Sequence, residues 1–187
     1  MELAQNNNPF IHIRAATASD NLLLAEIGAE TFFDSFAAEN SPEDMSAYLS
    51  QAFGPPIQAR ELADPASRFL IAETQEGQPL GYARLKFWEA PAVIEGRKPM
   101  EIVRFYARKS WIGKGVGAKL MQACLQESEW AGCDVVWLDV WERNPRAIAF
   151  YCKWGFVEVG RQGFQLGNDL QHDLIMVRLS APFYSPG

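Results

Sequence analysis

Apolar positions recur along this chain at two spacings, and the switches between them mark out its elements. Residues 10–14, Phe10-Ile11-His12-Ile13-Arg14, alternate as a short strand does. Ser19 or Asp20 is placed to cap a helix that runs through Leu23, Ala25 and Ile27 to about Phe36. Ser41-Pro42-Glu43-Asp44 predicts a second helix start, with a hydroxyl cap, proline at the first position and acids in the first turn. That helix carries Met45, Tyr48, Leu49 and Phe53 and stops at Gly54-Pro55-Pro56, followed by a short helical piece over 58–63. Residues 68–73 and 79–88 predict a hairpin around the turn 75–78, then an exposed loop over 89–99 and a strand over 100–107. Beyond a glycine-rich turn, Val116, Leu120, Met121, Cys124 and Leu125 share one face of a helix over 115–131. An apolar strand over 135–141 precedes a helix over 144–154, which Gly155 ends in a left-handed cap. Strands over 156–165 and 170–179 close the chain around Gly167-Asn168-Asp169. The order β-α-α-β-β-β-α-β-α-β-β predicts an α/β domain with a mixed sheet.

Length and composition narrow the class. The 187 residues suit one domain (1–187), with the polar, asparagine-rich residues 1–9 expected to be a disordered tail. A hydrophobic content of 48% supplies a core, and no run of 18 apolar residues predicts a membrane span. The net charge of −6 argues against a nucleic-acid binder and suits a cationic small molecule. Cys124, Cys133 and Cys152 form no paired framework, and no signal-peptide pattern precedes the first strand, so a cytoplasmic location is expected. With only His12 and His172, no metal site is expected.

The first candidate for chemistry is the turn Ile112-Gly113-Lys114-Gly115-Val116-Gly117-Ala118 between a strand and a helix. Free backbone N–H groups at a helix start form an anion site, glycines allow close approach, and Lys114 adds a charge. Three glycines also suit a plain tight turn. The P-loop order GxxxxGK[ST] is absent, since Val116 follows Lys114-Gly115, and the dinucleotide fingerprint GxGxxG does not fit.

The turn resembles the first signature of the GNAT superfamily of N-acetyltransferases, [QR]-x-x-G-x-[GA] after a strand. The second signature is similar over Leu138-x-Val140-x-x-x-Asn144-x-x-Ala147-Ile148-x-Phe150-Tyr151-x-Lys153-x-Gly155-Phe156. One position departs: Ile112 stands where the family usually has Gln or Arg, so the site is expected to rest on backbone N–H groups, that of residue 112 included. The resemblance implies an α+β fold with a mixed, mostly antiparallel sheet of about seven strands and about four helices. It also implies that the strand before the glycine turn is bulged and splays from the strand after the following helix. Acetyl-CoA is the implied cofactor, its pyrophosphate on residues 112–118 and its pantetheine arm along Phe105, Tyr106 and Ala107, with Asn144, Ala147, Phe150 and Tyr151 beside it.

Acetyl transfer to an amine requires that the amine lose a proton, the oxyanion be stabilised and the thiolate be protonated. Tyr151 is the candidate general acid, because a phenol stays protonated at neutral pH; packing beside Ala147, Ile148 and Trp154 is its structural alternative. Asn144 before Pro145 is also a good helix cap, and the two roles are compatible. Glu101 is the candidate base, with Arg104, Asp139 and Glu142 as competitors for a polar role or as ion pairs. Cys152 points about 100° around the helix from Tyr151 and is expected in the core.

Three stretches are similar to bacterial spermidine/spermine-type acetyltransferases: 101–106, 140–144 and 164–176. A flexible polycation calls for acidic and aromatic lining, for which Phe33, Asp34, Glu39 and Glu142 are candidates. The expected reaction is direct attack by a small amine in a ternary complex. The alternatives are acetylation of a protein N-terminus or lysine, favoured by an open groove, and a non-catalytic acyl-CoA sensor. Partners are then acetyl-CoA and the amine, without nucleic acid or membrane, and a homodimer stays open.

Overall fold

The structure is a computed structural model that describes residues 10–166 and 169–180; the tail 1–9 and positions 167–168 of the closing turn lie outside the described residues. In chain order the elements are β1 (His12–Ala15), α1 (Asn21–Phe36), α2 (Pro42–Ala52), α3 (Pro55–Ala63), β2 (Ser67–Glu73), β3 (Pro79–Lys86), β4 (Pro99–Ala107), α4 (Val116–Ala131), β5 (Val135–Trp141), α5 (Pro145–Lys153), β6 (Val157–Leu166) and β7 (Asp169–Leu179). The seven strands form one sheet in the order β1-β2-β3-β4-β5-β7-β6. Among the described strands, only β4 and β5 run parallel. The mixed, mostly antiparallel sheet is therefore the one expected.

Local signals explain most element boundaries. Ser41 Oγ accepts the Asp44 N–H at 3.1 Å, with Pro42 opening α2. Asn144 Oδ1 accepts the Ala147 N–H at 3.1 Å, with Pro145 opening α5. Gly155, at φ 83°, follows α5 as a left-handed residue. Two details differ from expectation. Asp20 holds the cap position of α1 but makes no side-chain capping bond; its carboxylate accepts the Thr17 N–H at 2.7 Å and pairs with Arg14 at 2.9 Å. Pro55 and Pro56 open α3 as well as ending α2, because proline at the first helical turn loses no hydrogen bond. The described residues thus hold five α-helices where about four are expected.

The sheet separates two layers. Leu120, Met121 and Cys124 of α4 and Tyr151 of α5 pack on Leu80, Leu85, Met100, Ile102, Val136 and Leu138. On the other face, Leu24 and Ile27 of α1 pack on Phe69, Ile71 and Tyr82, while Phe32, Met45 and Phe53 cluster beside Tyr106. Within the described residues, no helix is long and apolar enough to cross a membrane.

The decisive irregularity lies in β4. Arg104 pairs with Arg84 but Ile102 pairs with Leu85, so Val103 is an extra, bulged residue. Strand side chains alternate, so Ile102 and Phe105, three residues apart, belong on opposite faces of a regular strand. Here both pack against the α4 layer, and Tyr106 faces α1, because the bulge resets the alternation. Beside it, β4 and β5 pair only at Pro99↔Val135, Met100↔Val136 and Glu101↔Trp137. From Ile102 onward the two strands separate, and the β5-facing backbone of β4 has no strand partner. The sheet opens at the expected splay.

Candidate active site

A cleft of about 860 Å³ occupies that opening, and elements from both layers line it. The glycine side is built first. Gly113 (φ 79°) and Gly115 (φ 92°) occupy left-handed backbone, and a Cβ at Gly113 would meet nothing within 4 Å. No side chain caps α4; its first backbone bond runs from the Lys119 N–H to the Gly115 carbonyl at 3.0 Å. Among the described residues, the N–H groups of Val116, Gly117 and Ala118 therefore have no partner, at the positive end of the helix. Gly117 sits 3.5 Å from the Phe150 ring by the position its Cβ would take, so α4 and α5 meet closely there.

Phe105, Tyr106, Ala107, Ile112, Gly113, Gly115, Gly117, Ala118, Asn144, Ala147, Phe150 and Tyr151 all line the cleft. The structure thus brings together most of the residues that the two signatures marked. Two do not line it. Val116 is a fully buried core residue, and the Lys114 ammonium lies over the Trp111 ring, 5.4 Å from its centroid. One expectation needs correction: the N–H of Ile112 is not free, since it bonds the Lys109 carbonyl at 3.3 Å in a short 3₁₀ turn. The N–H of Lys114 is likewise engaged, by the Trp111 carbonyl at 3.2 Å, so the helix-start donors are those of Val116, Gly117 and Ala118.

Tyr151 is buried with its ring between Phe105 (6.1 Å), Phe150 (5.6 Å) and Phe156 (5.9 Å). Burial, reinforced by the neighbouring Cys124, raises its phenol above the ordinary value, so it stays protonated at neutral pH. Packing and contact with the cleft coexist in this side chain. Cys152, expected in the core, is instead exposed on α5, because Tyr151 occupies the inward position.

The opposite side of the opening is acidic. Glu101 sits where β4 and β5 part, 7% exposed, and its Oε2 accepts the Trp88 indole N–H at 2.5 Å. Burial raises its carboxyl above the usual range. Asp139 on β5 faces the same side; burial, with the charges of Glu101 and Asp173 added, pushes it up to about 7. Its Oδ2 accepts Gln162 Nε2 at 2.5 Å, while Oδ1 is buried with no donor among the described residues. Asp173 on β7 is pushed up to about 6 by burial and then by Glu142. Around these carboxyls stand Phe32, Phe36, Tyr48, Phe53, Trp141 and Phe164, with Phe36–Trp141 and Tyr48–Phe164 centroids at 5.6 and 5.5 Å.

The residues expected to bind the acceptor lie elsewhere. Phe33, 51% exposed, and Asp34 are on the outer face of α1, and neither lines the cleft. Glu142 pairs with Arg161 at 3.2 Å and does not line it. Glu39 lies 4.0 Å from Arg143. Arg104 does line the cleft but is occupied, bonding Glu61 at 2.6 Å and resting on the Phe53 ring. Sequence reasoning missed Gln162, Gln171 and Asp173; for the last two, the signal available was alternate polar positions, 171 and 173, just ahead of the apolar run 174–177.

An extended slot between parted strands, a phosphate seat at one helix start and an acid–phenol pair around the slot serve acyl transfer from a CoA thioester to nitrogen. This is the class of the acyl-CoA-dependent N-acyltransferases. A model of the Acetyltransferase (GNAT) family matches residues 29–156. The chain is 34% identical over 151 residues, 80% of its length and 86% of the relative's, to the uncharacterized N-acetyltransferase in the pepI 3' region of Lactobacillus delbrueckii subsp. lactis. A probable spermine N(1)-acetyltransferase of Bacillus subtilis subsp. natto is 36% identical over 62 residues, 33% of this chain and 41% of that one. The fold superposes on the PaiA N-acetyltransferase of Thermoplasma acidophilum in complex with coenzyme A, with TM-score 0.72 and 21% identity over 91% of this chain and 99% of that one. The chain belongs to the GNAT family and is an acetyl-CoA-dependent N-acetyltransferase.

The residues present fit that cofactor: free N–H groups at Val116, Gly117 and Ala118 suit its pyrophosphate, and the unpaired edge of β4 suits its amide-bearing arm. A side chain at Gly115 must adopt left-handed backbone, which costs an L-residue about 1–2 kcal/mol. Gly115→Ala is therefore expected to lower the melting temperature and to weaken CoA binding about tenfold. An unchanged calorimetric Kd would separate this turn from the cofactor.

Proposed function

We propose that the acceptor is a primary amine of a small organic cation, of which a polyamine is the type, and that it attacks directly in a ternary complex. The observation carrying this reading is the shared cleft, in which Glu101, Asp139 and Asp173 stand among aromatic rings opposite the cofactor's glycine turn. Carboxylates and ring faces together favour an ammonium ion. Gln171 Nε2 also donates to Asn40 Oδ1 at 2.6 Å, tying β7 to the segment between α1 and α2. Carboxyls gathered among rings in one pocket suit a small cationic amine. The partial likeness to a probable spermine N(1)-acetyltransferase supports the same class.

Bound acetyl-CoA supplies an acetyl group activated as a thioester. The chain supplies proton handling on either side of it. An alkylammonium has a pKa of about 10 and must lose a proton before its nitrogen can attack. Asp139, raised to about 7 and holding an oxygen without a donor, takes that proton. Glu101, whose Oε2 is engaged by Trp88, holds the ammonium at the apex of the opening. Tyr151 delivers its phenolic proton to the departing sulfur from the other layer.

Thiol release from acetyl-CoA, measured with polyamines, amino acids and peptides in parallel, tests this reading. Turnover is expected with polyamines and other small amines. Turnover confined to peptides, or cofactor binding without turnover on any acceptor, would sink it.

A further inference from the structure

Gln171 and Asp173 are two residues apart on β7 and share one face, that of the cleft. Gln171 is 9% exposed, and its amide orientation is fixed by its neighbours. Asn40 Nδ2 donates to the Phe36 carbonyl at 2.7 Å, which leaves Asn40 Oδ1 to face Gln171 as an acceptor. Gln171 must answer with its NH₂ group, which donates to Asn40 Oδ1 at 2.6 Å and to Asp169 Oδ2 at 2.9 Å. Its Oε1 is then an acceptor without a donor, buried in the cleft wall, and Asp173 Oδ1 is in the same state among the described residues. Buried acceptors of this kind are rare in folded proteins, and two side by side mark a place built for a donor that the described residues do not provide.

The surroundings define that donor. In the sheet, Trp141 stands directly opposite Asp173 and Phe164 opposite Gln171. Tyr48 packs on Phe164, and Phe36 packs on Trp141. Two acceptor oxygens among ring faces call for a nitrogen cation with several N–H groups. The cleft's own cations do not supply it: Arg146 and Lys153 stand on α5, in the opposite layer, and Arg104 is bound to Glu61. No group of three His, Cys, Asp or Glu among the described residues is arranged to hold a metal ion, which leaves an organic cation.

We infer that Asp173 and Gln171 form a subsite for a second cationic nitrogen, so that the acceptor is an amine with two cationic centres, one at Asp139 and Glu101 and the other on β7. This rests on the small-amine reading and sharpens it: the enzyme selects diamines and longer polyamines over monoamines of equal chain length. Asp173 is a specificity-determining residue, set apart from the groups that move the reacting proton.

The test compares 1-aminobutane with 1,4-diaminobutane, and 1-aminohexane with 1,6-diaminohexane, on the full chain with acetyl-CoA. The wild-type enzyme is expected to prefer the diamine by at least about tenfold in kcat/KM, the worth of one charge-assisted contact. Asp173→Asn keeps the shape and removes the charge, and it should collapse the diamine-to-monoamine ratio towards one, mainly through KM. Gln171→Met should reduce the same ratio, and melting curves of both variants report whether the fold holds. A wild-type ratio near one overturns the inference, as does an Asp173→Asn variant that loses activity on both amines with its ratio intact. If neither amine is acetylated, the acceptor reading fails by itself. Calorimetric titration of both amines into the CoA-saturated protein then decides the subsite: a diamine preference that Asp173→Asn erases sustains it, and equal binding ends it.

Discussion

Replacing Tyr151 by Phe is expected to lower kcat about 10²- to 10³-fold while leaving the Kd for CoA unchanged. The expectation follows from what the substitution keeps. Tyr151 contributes a buried ring to the core shared by α4, α5 and the sheet, in edge contact with Phe105, Phe150 and Phe156. Phe preserves that ring and every one of those contacts, so the fold and the cofactor cleft should survive. Only the phenolic proton is lost. A thiolate has a conjugate pKa of about 8.5, and the raised phenol of Tyr151 remains protonated at any pH where the reaction runs. The proton is present when the sulfur departs, and in the variant no side chain of α5 replaces it. Steady-state thiol release gives kcat, and calorimetric titration with CoA gives Kd. Parallel loss of both would assign Tyr151 to packing, and unchanged kcat would move the acid role to another group.

The two sides of this site differ in how legibly the sequence carried them. The cofactor side is written in contiguous residues: a glycine turn whose left-handed positions only glycine tolerates well, and a helix whose cap, Asn144-Pro145, lies within the same stretch as Tyr151. Local chemistry and local structure coincide there, so spacing alone marks the residues. The acceptor side is assembled by long-range pairing. Asp139 and Asp173 come together because β7 inserts between β5 and β6, aligning Trp141 with Asp173 across the strands. Nothing near residue 139 announces that neighbour. The candidates chosen from helix sequence, Phe33 and Asp34, fail on rotation: Phe32 and Phe36 take the inward face of α1, which turns residues 33 and 34 towards solvent. The bulge at Val103 has no local signal of its own and is implied only by the family resemblance, although it aims Phe105 at Tyr151 and Tyr106 at the acceptor layer. α3 begins earlier than its sequence predicts, because Pro55-Pro56 is both a stop for one helix and a start for the next.

Asp139→Asn is the second variant with a large expected effect, and its signature is a change in pH dependence. In the wild-type enzyme Asp139 must be ionised to accept a proton, so kcat/KM should rise with pH through a limb near 7. The amide cannot accept the proton. The variant should lose about 10²-fold or more in kcat/KM at neutral pH, and the limb near 7 should vanish. Stability should move the other way. The folded-state pKa of Asp139 lies above its ordinary value of 3.8, so between about pH 4 and 7 the folded protein binds more protons than the unfolded chain. Stability from this group therefore falls as pH rises through that window, and above 7 the fold carries the full cost of a charged, partly buried carboxylate beside Glu101 and Asp173. Asn carries no such charge, so Asp139→Asn should melt above the wild type at pH 8, with the difference closing towards pH 4. A catalyst weakened at neutral pH but stabilised in alkali is the pattern of a carboxylate held in an unfavourable place for its chemistry. A variant that is both less active and less stable at pH 8 would assign Asp139 a structural role through its bond to Gln162. A variant that keeps its pH dependence and its activity would return the base to Glu101, whose carboxyl is also raised by burial at the apex of the opening.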